Sequence, residues 1–256
     1  MNKYIKTIIS DKYIEVTQQP YLPHGNKVSS GGRKAFTQQS SNNYEANMKI
    51  STNRARKKIR RLLECNFPNQ YAFITLTFAP SNGIDVTDID ECYEKFVYFK
   101  KRLSRYLDKK KLPKFKYLGV TEFQDKNRQG AIHYHVICNL TEIPLEKLQE
   151  LWQYGWVYKK ITASDAAENA KISNYIKKGI TDNRLNGRKK YFHSHGLKQP
   201  IIIKIESSQE FYSTLDKCQP TLISDGTYQS PFSGETKYEN YYVENAEELI
   251  KYAQEL

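Results

Sequence analysis

Residues 116–137 read KYLGVTEFQDKNRQGAIHYHVI, and the fold is decided in this stretch. Two β-rich segments flank a polar run that ends in Gly130, the pattern of strand, turn and strand. A strand sends alternate side chains to opposite faces, so His133 and His135 share one face while Tyr134 points the other way, into the core. Folding about the turn from Asp125 to Gly130, with Gln124 opposite Ala131, sets Glu122 opposite His133 on the face of both histidines. Two imidazoles and one carboxylate leave open positions on a divalent ion, the arrangement of a catalytic rather than a closed structural site. Gln124 lies on the same face as a fourth or water-mediated ligand. Strand histidines also serve as hydrogen-bonded surface or core residues, and the hairpin alone leaves both readings open.

The flanking sequence supplies the rest of a sheet. YAFITLTF, starting at residue 71, is a run for a buried strand, and residues 88–108 carry helical apolar spacing at Ile89, Tyr93, Phe96, Val97, Leu103 and Leu107. After the hairpin, residues 144–153 predict a helix with Pro144 near its N-terminus, and GWVYKKI turns back into a strand. Residues 164–178 predict a further helix with Ser164 as N-cap and Gly179 as C-cap. Strand, helix, strand, strand, helix, strand, helix describes an α+β fold: an antiparallel sheet flanked by helices, of the split βαβ kind.

Charge points to a partner. The 256-residue chain carries a net charge of +12, yet residues 206–256 hold ten acids and three bases. The remainder is therefore strongly basic, which favours a polyanion whose repeated phosphates reward distributed Lys and Arg. Residues 45–64 predict a helix with Arg54, Arg56, Lys57, Lys58, Arg60 and Arg61 along it and an apolar edge of Ile59, Leu62 and Leu63. Such a helix would lie along a DNA backbone, or would be a solvated basic face. An anionic membrane is the competing partner, but no amphipathic, apolar or signal-like segment is found, and a cytoplasmic location is expected. Cys65, Cys92, Cys138 and Cys218 lack metal-ligand spacing and are expected to be reduced packing residues.

These features suggest three segments: a basic arm and helix over 1–70, with residues 21–43 an extended or mobile arm; a catalytic domain over 71–205; and an acidic extension over 206–256, whose end suggests a docking helix. Trp152, Tyr154, Trp156 and Tyr158 are candidates to stack on unpaired bases, with core packing the expected role of at least half of them. His193 and His195 form a second His-x-His without a nearby carboxylate.

Tyr175 and Lys178, three residues apart, share one side of their helix, a geometry suited to a nucleophile with a cationic helper. Tyr98/Lys101 and Tyr106/Lys109 repeat the spacing, so position in the chain must choose among them. FITLTF (73–78), then HYHVI (133–137) with Glu122 upstream, then Tyr175-Ile-Lys-Lys178 resemble, in that order, the three motifs of the HUH endonucleases. The likeness is greatest to the rolling-circle replication initiators of small plasmids and phages. It spans about residues 71–180, with a fainter echo at RKKYFHSHGLKQP (188–200).

The resemblance implies that Glu122, His133 and His135 hold a divalent ion (Mn²⁺ or Mg²⁺), that Tyr175 is the nucleophile and that Lys178 is its phosphate-side partner. It implies a metal-dependent single-strand DNA endonuclease that nicks an origin hairpin, forms a 5′-phosphotyrosine bond with a free 3′-hydroxyl, and rejoins strands. A GxxxxGK[ST] loop is absent, so a host helicase and DNA polymerase are the implied partners. The motif offers a single tyrosine. A single-tyrosine transposase or mobilisation relaxase is the nearest alternative, and a non-catalytic nucleic-acid-binding module the alternative from another class.

Overall fold

Hydrogen bonding between strands far apart in sequence divides the chain into two units. The computed structural model describes residues 4–20, 44–80, 83–206, 209–230 and 234–256, without the side chains of residues 44–47, 127, 166, 177 and 178. The arm expected over 21–43 lies outside the described residues. In chain order the elements are β1 (Tyr4–Ser10), β2 (Tyr13–Gln19), α1 (Tyr44–Asn66), β3 (Gln70–Thr77), α2 (Ile89–Lys109), β4 (Tyr117–Gln124), α3 (Asp125–Arg128), β5 (Ala131–Cys138) and α4 (Leu145–Trp152). They continue with β6 (Val157–Ala163), α5 (Ala166–Ile180), β7 (Phe192–His193), β8 (Ile201–Glu206), α6 (Gln209–Lys217), β9 (Thr221–Ser230), β10 (Gly234–Tyr242) and α7 (Glu247–Glu255).

One unit, residues 36–197, holds the sheet β6-β3-β5-β4-β7, every neighbour antiparallel. Strand β5 lies between β3 and β4, so the β3-α2-β4 crossover is split as expected. Alternation along the strands gives the sheet two apolar faces. Ile74, Leu76, Tyr134, Val136 and Val157 pack with Phe96, Phe99 and Leu103 of α2 and with Leu148 and Trp152 of α4. Tyr71, Leu118, Val120 and Ile137, on the other face, pack with Ala55, Ile59, Leu62 and Leu63 of α1 and with Ile176 and Ile180 of α5.

Helix α2 begins where Asp88 caps the amides of Asp90 and Glu91, an interaction worth about 1 kcal/mol. Its buried stripe is Cys92, Phe96, Phe99, Leu103 and Leu107. Tyr93, expected on that stripe, is exposed, because 3.6-residue spacing from Phe96 brings Cys92 and Phe99 onto the core side instead.

The other unit contains residues 4–20 and 198–256, with the sheet β8-β1-β2-β10-β9. Its core joins Ile5, Ile9, Ile14 and Val16 to Ile203, to Phe211 and Leu215 of α6, and to Leu249 of α7. The composition breaks at residues 70 and 205 do not coincide with these units. The N-terminal strands complete a sheet with the C-terminal region, and α1 belongs with the sheet of β3 to β7. All four cysteines are free. Among the described residues no helix is long and apolar enough to cross a membrane.

Candidate functional site

The hairpin β4-β5 folds in the register read from its sequence: Glu122 lies opposite His133 and Gln124 opposite Ala131. The polar connection becomes the single helical turn α3, closed by Gln129 at φ 51° and Gly130 at φ 85°. The second position suits glycine, which adopts positive φ without a Cβ penalty. Strand β3 adds the next row, with Thr75 opposite His135 and Thr77 opposite His133. Tyr134 points into the opposite core, as expected.

Both histidines are 5 % exposed and differently engaged. His135 Nε2 is 2.5 Å from Glu122 Oε2, and its Nδ1 is 3.1 Å from Thr75 Oγ1. With Glu122 ionised, Nε2–H donates to the carboxylate and Nδ1 accepts from the Thr75 hydroxyl. His133 Nε2 accepts from Arg128 Nη1 at 3.2 Å, while Arg128 Nη2 donates to the Phe78 carbonyl at 2.6 Å. Burial first, then the Arg128 charge and His135, hold the His133 pKa down at about 4 against the opposing pull of Glu122. His133 is thus a neutral imidazole around pH 7, the form that binds metal.

Tyr175 reaches the same place from α5. Its hydroxyl is 3.5 Å from His135 Nε2, and its ring meets both His135 and Phe73 edge-on, at 5.2 and 6.0 Å between centroids. Phe73 stacks on the His135 ring at 5.6 Å. Burial, and then the negative charge of Glu122, raise the Tyr175 pKa above the ordinary tyrosine value. The phenol is therefore protonated at neutral pH. Tyr98 is bonded instead to Glu94 of its own helix, at 2.6 Å.

Two contacts seat α5. Asn169, fully buried, donates to Glu64 of α1 at 3.0 Å and to Ser164 Oγ at 3.1 Å. At the other end, Gly179 lies over β4, where a Cβ would stand 2.6 Å from the Thr121 carbonyl oxygen and 3.8 Å from Glu122 Cα. The expected caps are corrected accordingly. Asp165, not Ser164, accepts from the Glu168 amide as N-cap, and the helix continues past Gly179 to Ile180 with Thr181 as C-cap. The glycine serves close approach between helix and strand, a use that sequence spacing does not distinguish from capping.

Glu122, His133, His135 and Tyr175 are thus together. Gln124 is half-buried in the adjoining row of the same face. Lys178 lies in α5, and its side chain is outside the described residues. On α1, Arg54 and Lys57 are exposed, whereas Arg56, Lys58, Arg60 and Arg61 are half-buried. Arg60 Nε lies 3.8 Å from the buried Glu64, so this side chain is drawn toward the helix's packed side. His193 sits in β7 opposite Leu118 and makes a contact with the Ser194 carbonyl at 2.8 Å.

Sequence reading missed four contributors: Phe73, Thr75, Arg128 and Arg184. Alternation in FITLTF would have put the first two in the His135 neighbourhood once β3 was known to neighbour β5. Arg184 chelates Asp125 at the hairpin tip at 2.8 and 2.9 Å and lies 3.9 Å over the Phe123 ring. No local pattern announces it.

Among the described residues no three His, Cys, Asp or Glu side chains already converge as a cation cage. The donor types nevertheless suit a divalent ion: a neutral His133, the adjacent His135 and Glu122 on one face, with Thr75 behind His135 Nδ1 to orient the ring. Arg128 stands at the His133 atom that would face such an ion.

No curated protein and no solved structure matches this chain. A family model for replication-associated proteins of the ORF2 type matches residues 71–180, the span from β3 to the end of α5 that carries every one of the assembled site residues. With the split βαβ sheet and the His-x-His hairpin both in place, the chain belongs, through this domain, to that family of replication-associated proteins.

Proposed function

We propose that the protein initiates rolling-circle replication as a metal-dependent, site-specific single-strand DNA endonuclease that nicks and rejoins an origin hairpin through Tyr175. The observation that carries this reading is the Tyr175 hydroxyl 3.5 Å from His135 Nε2, with His135 bonded to Glu122. A binding module has no use for a phenol set against an imidazole and a carboxylate.

The chemistry must overcome two charges. A phosphodiester repels nucleophiles, and the phenol is held protonated by burial and by Glu122. Manganese or magnesium bound by Glu122, His133 and His135, with Gln124 direct or through water, would offset the carboxylate and polarise a non-bridging phosphate oxygen. Phe73 and the His135 ring hold the Tyr175 ring in one orientation, which lowers the entropic cost of attack. The Tyr175 oxygen loses its proton and bonds to phosphorus. The bond to the 3′ oxygen breaks, and that oxygen leaves as a 3′-hydroxyl after taking up a proton. Lys178, three residues from Tyr175, holds the phosphate. The reverse reaction rejoins the strand without ATP, and strand separation and synthesis fall to a host helicase and DNA polymerase. Exposed Arg54 and Lys57 on α1 contribute non-specific attraction to the DNA backbone.

Strand cleavage of a single-stranded origin-like oligonucleotide with Mn²⁺, and again with EDTA, tests the reading. Cleavage with a covalent adduct in Mn²⁺ only, and neither in Tyr175→Phe, is expected. An uncut oligonucleotide in both conditions would refute it.

A further inference from the structure

The face that carries Glu122, His133, His135 and Tyr175 does not end at β3. Register continues it onto the edge strand β6, where Tyr158 stands opposite Thr75, itself opposite His135. Lys160 stands opposite Phe73. One step toward the start of the strand, the Thr77 amide donates to the Trp156 carbonyl at 2.9 Å, and the Trp156 amide donates to Thr77 Oγ1 at 3.0 Å. Trp156 therefore heads the row of Thr77, His133 and Glu122. Val157, between the two aromatics, is buried in the opposite core, which fixes the alternation.

Trp156 is 63 % exposed and Tyr158 59 % exposed. Isolated exposed aromatics are ordinary on protein surfaces, but these two are alternate residues of one strand, about 7 Å apart. Each is two strands from a site histidine, about 10 Å in the direction of the hydrogen bonds. Lys160, also exposed, continues the row with positive charge. The aromatics that precede them are used otherwise. Trp152 is fully buried and donates from Nε1 to the Thr77 carbonyl at 2.7 Å, and Tyr154 is half-buried beneath Arg102. The backbone under the exposed pair is firmly set. A Cβ at Gly155 would collide with the Thr77 carbonyl oxygen, so only glycine lets the chain cross there.

We infer that Trp156 and Tyr158 form a base-stacking platform that receives two unpaired nucleotides next to the scissile phosphate, with Lys160 on the backbone of the same strand. This rests on the reading of the site as one for single-stranded DNA. Aromatic faces at alternate strand positions accept any base, give affinity without sequence readout, and reject paired DNA, whose bases are already stacked. Rings whose backbone is pinned in advance lose little freedom on binding.

The chain holds only two tryptophans, one fully buried and one on this platform, so tryptophan emission reports the contact directly. Full-length protein in EDTA, titrated with an oligothymidylate, is expected to show saturable quenching that disappears in Trp156→Phe. Fluorescence anisotropy of a labelled oligonucleotide is expected to give a Kd about tenfold higher in Trp156→Ala and in Tyr158→Ala, the loss of one stack each. The Trp156→Phe and Tyr158→Phe variants should stay within about threefold of the parent. Saturable binding without quenching, alanine variants that bind like the parent, or equal affinity for blunt duplex would each overturn the platform. Because these readouts need neither metal nor cleavage, they separate the two readings. A Tyr175 adduct without quenching would remove the platform alone, and quenching with stacking losses but no adduct would remove the nicking activity alone.

Discussion

Gly179→Ala isolates the geometry on which the site depends. The substitution is conformationally easy, since Gly179 lies within α5, and alanine in a helix interior is intrinsically favoured over glycine by about 1 kcal/mol. In this helix, however, the new methyl would stand 2.6 Å from the Thr121 carbonyl oxygen. A carbon and a carbonyl oxygen tolerate no less than about 3.3 Å, so helix and strand must part by about 0.7 Å. Overpacking of this size costs about 1–3 kcal/mol, which the helix preference partly offsets, leaving a net loss of about 0–2 kcal/mol. For a unit of this size that is a fall in Tm of at most about 8 °C. Tyr175 lies one turn earlier on the same side of the helix and moves with it, away from His135. A misplacement near 1 Å costs on the order of 100-fold in rate, so single-turnover cleavage should fall by at least about tenfold while the far-ultraviolet circular dichroism is kept. A variant with raised Tm and unchanged cleavage would refute the argument that this approach sets the tyrosine.

Two other perturbations test the electrostatics and the support of the site. The folded pKa of His133, about 4, lies below its ordinary 6.5, so its contribution to stability is complete above pH 6.5 and is lost as pH falls toward 4, when the unfolded chain takes up a proton that the folded chain does not. The metal-free protein in EDTA should lose up to about 3 kcal/mol through that window, and His133→Gln should flatten the decline; parallel pH profiles of Tm for parent and variant would contradict this. Thr75→Val removes the hydroxyl at His135 Nδ1 and should weaken Mn²⁺ binding by about 10- to 100-fold in calorimetry, with unchanged affinity as the contrary result.

The hairpin is legible because its period of two is strict: a slip of one residue would bury the other set of side chains, and the polar run ending in Gly130 fixes where the chain turns. The order of elements from β3 to α5 follows from the same kind of local pattern, and so does the buried edge Ile59, Leu62 and Leu63 of α1. Contacts between distant residues leave no such trace. Nothing in Tyr4–Gln19 announces that β1 will pair with β8 and β2 with β10, and the acidic composition after residue 205 makes half of a sheet resemble a tail. Gly179 reads as a stop signal because glycine at a helix end and glycine beneath a strand look alike in one dimension. Arg60 reads as part of a basic face unless Glu64, one turn on, is weighed as its partner.

The most direct measurement is peptide-level mass spectrometry of the protein after reaction with single-stranded origin-like DNA and Mn²⁺, followed by nuclease trimming. The account predicts a 5′-linked nucleotide on the Tyr175 oxygen and release of a fragment ending in a 3′-hydroxyl. A nucleotide on any other residue, or cleavage that leaves no covalent adduct at all, would contradict it.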